Sequence, residues 1–366
     1  MAGRQFVRKG EIHPEILMTM QSYAFPGNLD PEIAAIGAQP FMYMRTDEFS
    51  AINKESERIL LELIHCTGGR TIIYTGSGTG AMSAVVENYV TTRKKAIVID
   101  GGSFGHRWAQ LCEYYGVDAV DYIVPFAKDL DYGDFEATVA CEKPEVLLCQ
   151  HHETSSGQLF DLSKLSEICH RHRVSMVVDV ISTFLAEPLD MDALGIDICI
   201  TSTQKGLNIP PGLSVLFFSK ALDGYAFNHR GYYWDFEENF SNLRRGQTPF
   251  SPATILFLQL NARLRQLKAQ GGEKQNIAEV HHRAEVFRAL CARYGWEIPA
   301  ENPSYAITGF QTREKADRRI FRGLIDKYAT YIMPNAVPGF YRVSHMGLQT
   351  DRELEELAAR IREFEY

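Results

Sequence analysis

"VVDVISTFLAEPLDMDALGIDICITSTQKGLNIPPGLSVLFF", residues 177–218, decides the fold. It holds parts of three short apolar runs, Ser175–Val180, Asp197–Ser202 and Ser214–Ser219, each read as a strand. Asp179 falls near the end of the first, and Lys205 follows the second in Ser202-Thr-Gln-Lys-Gly-Leu. In open α/β sheets ligands sit at the carboxyl ends of strands, so both side chains can reach one crevice. Working outward, four more strands are expected at Thr71–Thr75, Ala96–Asp100, Asp121–Val124 and Val146–Cys149. Helical segments fall between them, including Arg107–Tyr115 and Leu162–His172. This alternation, with runs apolar on both faces, implies an α/β fold: a mainly parallel seven-stranded sheet covered by helices on each side.

Outside that sheet the pattern changes. Residues Met1–Pro40 read as irregular, with Pro26-Gly27 and Asp30-Pro31 as breakers, and a first long helix is expected over Glu48–Cys66. Beyond the break at Thr248–Pro252 the chain reads as helix Ala253–Gln270, helix Ile277–Tyr294, strand Ala306–Gln311, helix Glu314–Tyr328, strand Tyr341–His345 and helix Arg352–Phe364. That tail is expected to be a smaller C-terminal α+β domain. The expected division is an N-terminal arm over 1–40, a large domain over 41–260 and a small domain over 261–366.

The bulk composition narrows the function. Hydrophobic residues make up 45% and charged residues 23% of 366, ordinary for a globular protein with a large core. A net charge of -8 argues against nucleic acid as the main partner, which needs a basic face. No apolar run approaches the roughly 18–20 residues of a membrane span. Seven scattered cysteines, odd in number and never spaced C-x-x-C, suggest reduced thiols and a cytoplasmic setting. His151-His152 and His281-His282 invite a metal reading, but adjacent side chains on a strand or a helix do not share a face. No metal is expected.

The stretch "YTGSGTGAM", residues 74–82, is locally ambiguous. Gly76-x-Gly78-x-x-Ala81 after an apolar run fits a dinucleotide fingerprint, and Asp100 falls about where a ribose-binding acid belongs. An NAD-binding dehydrogenase is therefore one reading. It gives Asp179 and Lys205 no joint task. A phosphate-holding loop, a strand-end aspartate and a strand-end lysine suit pyridoxal 5'-phosphate better. The lysine forms the imine with its aldehyde, and the aspartate keeps the pyridine nitrogen protonated so that the ring can accept electrons.

From about Arg45 to the C-terminus the chain resembles the class V aminotransferases among the fold-type I pyridoxal-phosphate enzymes, the alanine–glyoxylate, serine–pyruvate and 2-aminoethylphosphonate–pyruvate transaminase group. Seven motifs come in the family's order: "GSGTGAM", "GGSFGHRW", "HHETSSG", "VVDVIST", "TSTQKGLNIPPGL", "QTPFSP" and "YRVSHMG". The resemblance implies that Lys205 is the Schiff-base lysine and proton carrier and that Asp179 pairs with the pyridinium. It implies phosphate contacts from Ser77, Gly78, Thr79 and Gln204, ring stacking by Phe104 and a Thr154 hydrogen bond to the phenolic oxygen. Thr248 and Ser251 match positions that reach the phosphate of a neighbouring subunit, implying an obligate homodimer. Arg342 matches the residue that clamps the substrate α-carboxylate. One departure stands out: the family's N-terminal "GPGP", which lines the substrate mouth, is replaced by "MQSYAFPGNL", residues 20–29, a change that bears on substrate identity and leaves the cofactor residues intact.

The expected activity is ping-pong transamination from a small amino donor of alanine or serine type to a small 2-oxo acid, pyruvate or glyoxylate. A variant is 2-aminoethylphosphonate–pyruvate transamination, with His229, Arg230, Arg244 and Arg245 as candidate cationic contacts for the aminophosphonate. Lyase, decarboxylase and cysteine desulfurase chemistry use the same cofactor. Desulfuration usually needs a histidine just before the lysine, where this chain has Gln204, and a mobile cysteine.

Overall fold

The computed structural model describes residues 20–313 and 318–365. Its main sheet has seven strands among these residues: β1 Arg70–Thr75, β2 Ala96–Asp100, β3 Ala119–Ile123, β4 Val146–Gln150, β5 Ser175–Asp179, β6 Ile198–Ser202 and β7 Leu213–Phe218. They lie in the order β1-β7-β6-β5-β4-β2-β3. All neighbours run parallel except β7, which is antiparallel to both β1 and β6.

The apolar runs follow from burial on both faces. Side chains alternate along a strand, so a run with no polar interruption needs two apolar layers. Ile97, Leu147, Met176 and Val178 face one layer, which the Asp47–Leu63 and Thr254–Ala269 helices close with Leu60 and Phe257. Val98, Leu148, Val177 and Ile200 face the other, closed by Val85 of the Gly78–Asn88 helix and Trp108 of the Gly105–Tyr115 helix. Each such fully buried side chain contributes about 1.5–3 kcal/mol.

Acidic and hydroxyl residues start several of the helices. Thr46, Asp131, Asp161 and Thr350 each accept an amide hydrogen bond as N-caps, and Thr350 forms a capping box with Glu353. Of the stretch read as irregular, residues 1–19 lie outside the described ones, and residues 20–40 are more ordered than their composition suggests. Asp30-Pro31, read as a breaker, starts the Pro31–Ile36 helix: Asp30 accepts from the Glu32 and Ile33 amides, and proline suits the first helical position. Gly271-Gly272 likewise joins two helices, since Gly272 opens Gly272–Tyr294.

The C-terminal part builds a second sheet from β8 Ile307–Gln311, β9 Met333–Pro334 and β10 Phe340–Ser344, antiparallel and ordered β8-β10-β9. The short β9 has no counterpart in the sequence reading. Phe287, Phe310, Tyr341 and Leu357 form its core with the Gly272–Tyr294 and Asp351–Glu363 helices. Tyr23 joins this core from far upstream, because Gln21–Ser22 pairs in parallel with Thr330–Tyr331. The helix expected over Glu314–Tyr328 is seen over Arg319–Tyr328; its expected first residues lie outside the described ones.

Candidate active site

At the carboxyl ends of β5 and β6 a cavity of about 230 Å3 opens against the starts of the Gly78–Asn88 and Gly105–Tyr115 helices. Lys205, Asp179, Ser77, Gly78, Thr79, Phe104, Thr154 and Gln204 all line it. Residues from five separate stretches thus meet as the strand-end argument requires.

Lys205 follows β6 and is 6% exposed. Burial draws its ammonium down to about 7, against the pull of Asp179, and Arg342 adds to the fall. Asp179 ends β5, where burial raises its carboxyl to about 7; the Ile181 amide, donating to Oδ1 at 2.7 Å, and Lys205 oppose the rise. The two groups are held close to the point where either can give up its charge. That is the state a proton-transferring pair needs near neutral pH.

The glycine loop is shaped by its neighbours. Ser77 caps the Gly78–Asn88 helix. A Cβ on Gly78 would stand 2.5 Å from Ile181 Cδ1, so only glycine leaves that wall of the cavity in place. Gly76 and Gly80 each lie 3.1 Å, measured from a would-be Cβ, from the indole of Trp234. Spacing that reads as a dinucleotide fingerprint here lets a tryptophan and an isoleucine pack against the turn. Topology also removes the dinucleotide reading. The loop follows β1 at the sheet edge, beside an antiparallel strand, rather than a strand at a central switch point. Asp100 is engaged by His106 Nδ1 at 2.9 Å and the Gly102 amide.

Phe104 is positioned by a residue to which the sequence reading gave no role. The buried Glu153 carboxylate accepts from the amides of Phe104, Gly105 and Ser155, the Ser155 hydroxyl and Gln150 Nε2. It occupies the N-terminus of the Gly105–Tyr115 helix, where negative charge is favoured. Arg107, one turn on, lies 5.1 Å from the Phe104 ring centroid and donates to Thr79 Oγ1 at 3.1 Å. Thr154 Oγ1 shares a 2.6 Å hydrogen bond with Ser182 Oγ.

Three sequence-derived residues stand elsewhere. Arg342, on β10, donates to the Thr154 and Pro334 carbonyls at 2.9 Å each, while its buried Nε has no hydrogen-bond partner among the described residues. It does not line the cavity, yet its charge is felt by Lys205. Thr248 donates to the Phe250 carbonyl, and it and Ser251 line a different, shallow hollow beside Tyr233. The structure does not bring them to Lys205 of the same chain. Of the proposed phosphonate contacts, His229 pairs with Asp235 at 2.7 Å, Arg230 reaches the Tyr115 carbonyl, and Arg244 and Arg245 are exposed; none lines the cavity.

Comparison with known proteins agrees with this geometry. Residues 37–315 match the family model described as aminotransferase class-V. The chain belongs to the class-V aminotransferases. Its relatives include an L-aspartate–glyoxylate aminotransferase of Paracoccus denitrificans, 25% identical across 91% of this chain and 88% of the relative. A serine–glyoxylate aminotransferase of Hyphomicrobium methylovorum is 28% identical across 90% and 86%. The solved aspartate aminotransferase of subgroup IV from Thermus thermophilus superposes with a TM-score of 0.86 at 25% identity, covering 94% of this chain and 98% of that one.

The protein is accordingly a pyridoxal-phosphate-dependent transaminase, and its cavity fits the cofactor. Ser202 Oγ is buried without a hydrogen-bond partner among the described residues, 3.4 Å from a would-be Cβ of Gly78. An orphaned hydroxyl beside a helix N-terminus suits a phosphate. Asp179, which the structure leaves without a cation in hydrogen-bond contact among the described residues, suits a protonated ring nitrogen. Ser202, Ser182, Arg107 and Phe25 line the cavity without having been singled out. For Ser202 a signal existed, a hydroxyl at a strand end three residues before the lysine. For Phe25 the signal was the departure at residues 20–29, the stretch that replaces the family's substrate-mouth segment. Among the described residues, no helix is long and apolar enough to cross a membrane, and all seven cysteines are free.

Proposed function

We propose that this transaminase moves the amino group of a small donor of alanine or serine type to pyruvate or glyoxylate by a ping-pong route. The observation that carries the reading is the small cavity in which Lys205, Asp179 and the Gly78 loop meet, with Arg342 close enough to be felt electrostatically. Names of relatives that pair an amino acid with glyoxylate support it. Pyridoxal phosphate supplies the aldehyde carbon for the amine and an electron-drawing ring. The Asp179 carboxylate would hold the proton on the ring nitrogen, and Phe104 would cover one ring face. Lys205 Nζ, which burial brings to a pKa of about 7 so that its neutral form is accessible, would take the substrate Cα proton and return it to the cofactor carbon. Arg342 would hold the substrate carboxylate through Nε and a terminal nitrogen. With a division near residues 40 and 260, that contact would join the small domain to the large one.

We also propose a homodimer in which Thr248 and Ser251 reach the partner's phosphate. Tyr232 (86% exposed) and Tyr233 pack on Phe250 beside this loop. Phe41 and Tyr43 precede Arg45, which donates to the Thr248 and Pro249 carbonyls. Such a run of exposed aromatic rings suits a protein interface. None of the four cationic residues named for the aminophosphonate variant lines the cavity of this chain.

The test is a panel of amino donors mixed with the holoenzyme, scored by the absorbance change of the first half-reaction. Alanine or serine should convert the cofactor in the absence of any 2-oxo acid, and pyruvate or glyoxylate should restore it. Full turnover by Lys205→Ala, or no pyridoxyl label on Lys205 after borohydride reduction, refutes the assignment.

A further inference from the structure

Phe25, in the stretch that replaces the family's substrate-mouth segment, stands directly against Lys205. The centre of its ring lies 3.1 Å from Lys205 Nζ, and the residue lines the cavity. At that separation the ring is in van der Waals contact with the nitrogen, and no atom fits between them. Any amine that takes the place of Nζ must enter the volume this ring covers.

The ring is held there by both parts of the molecule. The Tyr23 amide donates to the Tyr331 carbonyl at 2.8 Å, and the Ser344 amide donates to the Tyr23 carbonyl at 2.9 Å. The Tyr23 side chain is buried, with its hydroxyl on the Glu353 carbonyl. On the other side of Phe25, Asn208 Nδ2, from the loop just after Lys205, donates to the Asn28 carbonyl at 3.1 Å. Gly27 is pressed against Gly347, at a φ of 84° that favours glycine. Phe25 is thus fixed between anchors two and three residues away. It is half-buried against a small cluster containing Ala306, Ile307 and Met346. The ring therefore has two neighbours at once, this apolar cluster and the Lys205 amine.

We propose that Phe25 is the specificity-determining wall of the donor site, limiting the amino donor to one whose side chain is about the size of a methyl or hydroxymethyl group. This rests on the transaminase reading and names the residue that enforces its small donor. The ring also screens Lys205 Nζ from bulky reagents, a consequence independent of catalysis.

The experiment has two arms, with Phe25→Ala and the bulk-retaining Phe25→Leu. In cofactor-free protein, Lys205 is labelled with trinitrobenzenesulfonate or by reductive methylation with formaldehyde, and each product is measured by peptide mass spectrometry. Phe25→Ala should raise the bulky-to-small labelling ratio at least about tenfold, and Phe25→Leu by less. In the holoenzyme, kcat/KM is compared for phenylalanine and alanine as donors. The ratio should rise about tenfold or more in Phe25→Ala, within the range one misfitted group is worth in an apolar pocket. Ratios within twofold of the parent in both arms overturn the proposal. If Phe25→Ala does not fold, the same ratios in Phe25→Leu decide. A parent holoenzyme that reacts with no amino donor, while the labelling arm gives the expected ratios, sinks the transaminase reading and leaves the screening role standing.

Discussion

Replacing Glu153 tests whether the site depends on a residue that never touches the substrate. Its two oxygens divide most of the donors between them, with the Phe104 amide also 3.4 Å from Oε1. Oε2 accepts from Gly105 N at 3.1 Å, Phe104 N at 3.3 Å and Gln150 Nε2 at 3.2 Å, while Oε1 accepts from Ser155 N at 3.1 Å and from the Ser155 hydroxyl. In Glu153→Gln the amide oxygen can keep the Oε2 set, but its NH2 group then faces the Ser155 amide. One buried donor is stranded and charge assistance is lost, at a cost of about 2–3 kcal/mol. Glu153→Ala strands all three amides and opens a hole. About 4–5 kcal/mol is expected, at the upper end for a single substitution. Urea unfolding of cofactor-free protein measures the cost as a shift in midpoint at constant slope. Freed from its amide anchor, Phe104 should also hold the cofactor less well, so that its Kd rises about tenfold, or 1.4 kcal/mol. If Glu153→Gln unfolds within about 0.5 kcal/mol of the parent and binds the cofactor equally well, the carboxylate is not what sets Phe104 in place; that threshold is the ordinary scatter of surface substitutions.

Three further outcomes follow from the cavity. Ser202→Ala removes an orphaned buried hydroxyl, so cofactor-free protein should unfold at an equal or higher temperature while cofactor Kd weakens about five- to tenfold; a parallel loss of both contradicts a phosphate contact. Gly78→Ala drives a methyl into Ile181 Cδ1 and should weaken cofactor binding by about 1–3 kcal/mol; adding Ile181→Val, which deletes that atom, should recover most of the loss in a double-mutant cycle. Lys205 reacts as the neutral amine, and burial lowers its pKa, so its methylation rate in cofactor-free protein should rise through about pH 7. Ordinary lysines do so near 10.4. Asp179→Asn removes the charge that favours the ammonium and should move that midpoint lower, never higher.

Much of the fold was legible because the main sheet is buried on both faces. That constraint makes the inner strands apolar runs with little polar interruption, while the edge strand β3, with Asp121 and Ile123 exposed, is less so; all seven runs are strands within one or two residues of their expected ends. Their chain order could not be read the same way. The placement of β1 at the edge beside antiparallel β7 depends on contacts between residues 70–75 and 213–218, which no local pattern records. That placement is what separates the glycine loop from its dinucleotide look-alike. Asp30-Pro31 misled for the opposite reason: the same pair breaks one helix and begins another, and only the partners of the Asp30 side chain decide which.

The candidate site divides along the same line. Residues lying in motifs at strand ends, such as Asp179, Ser77 and Lys205, converge because strand ends converge. Glu153 and Phe25 act through long-range geometry instead. Glu153 works by filling a helix N-terminus some 50 residues upstream in the chain, and Phe25 by the pairing of Gln21–Ser22 with Thr330–Tyr331 across more than 300 residues. Loop closure over such a span needs many contacts to hold it. The Tyr23 side chain, buried in the C-terminal core, is one of those contacts. It follows that the aromatic wall over Lys205 should loosen when the C-terminal core is weakened far from the cavity. Tyr23→Ala should raise labelling of Lys205 by bulky reagents much as Phe25→Ala does, although Tyr23 does not line the cavity. An unchanged labelling ratio in Tyr23→Ala, in protein that remains folded, would mean that Asn208 and Gly347 alone fix the loop and that the link to the C-terminal sheet is idle.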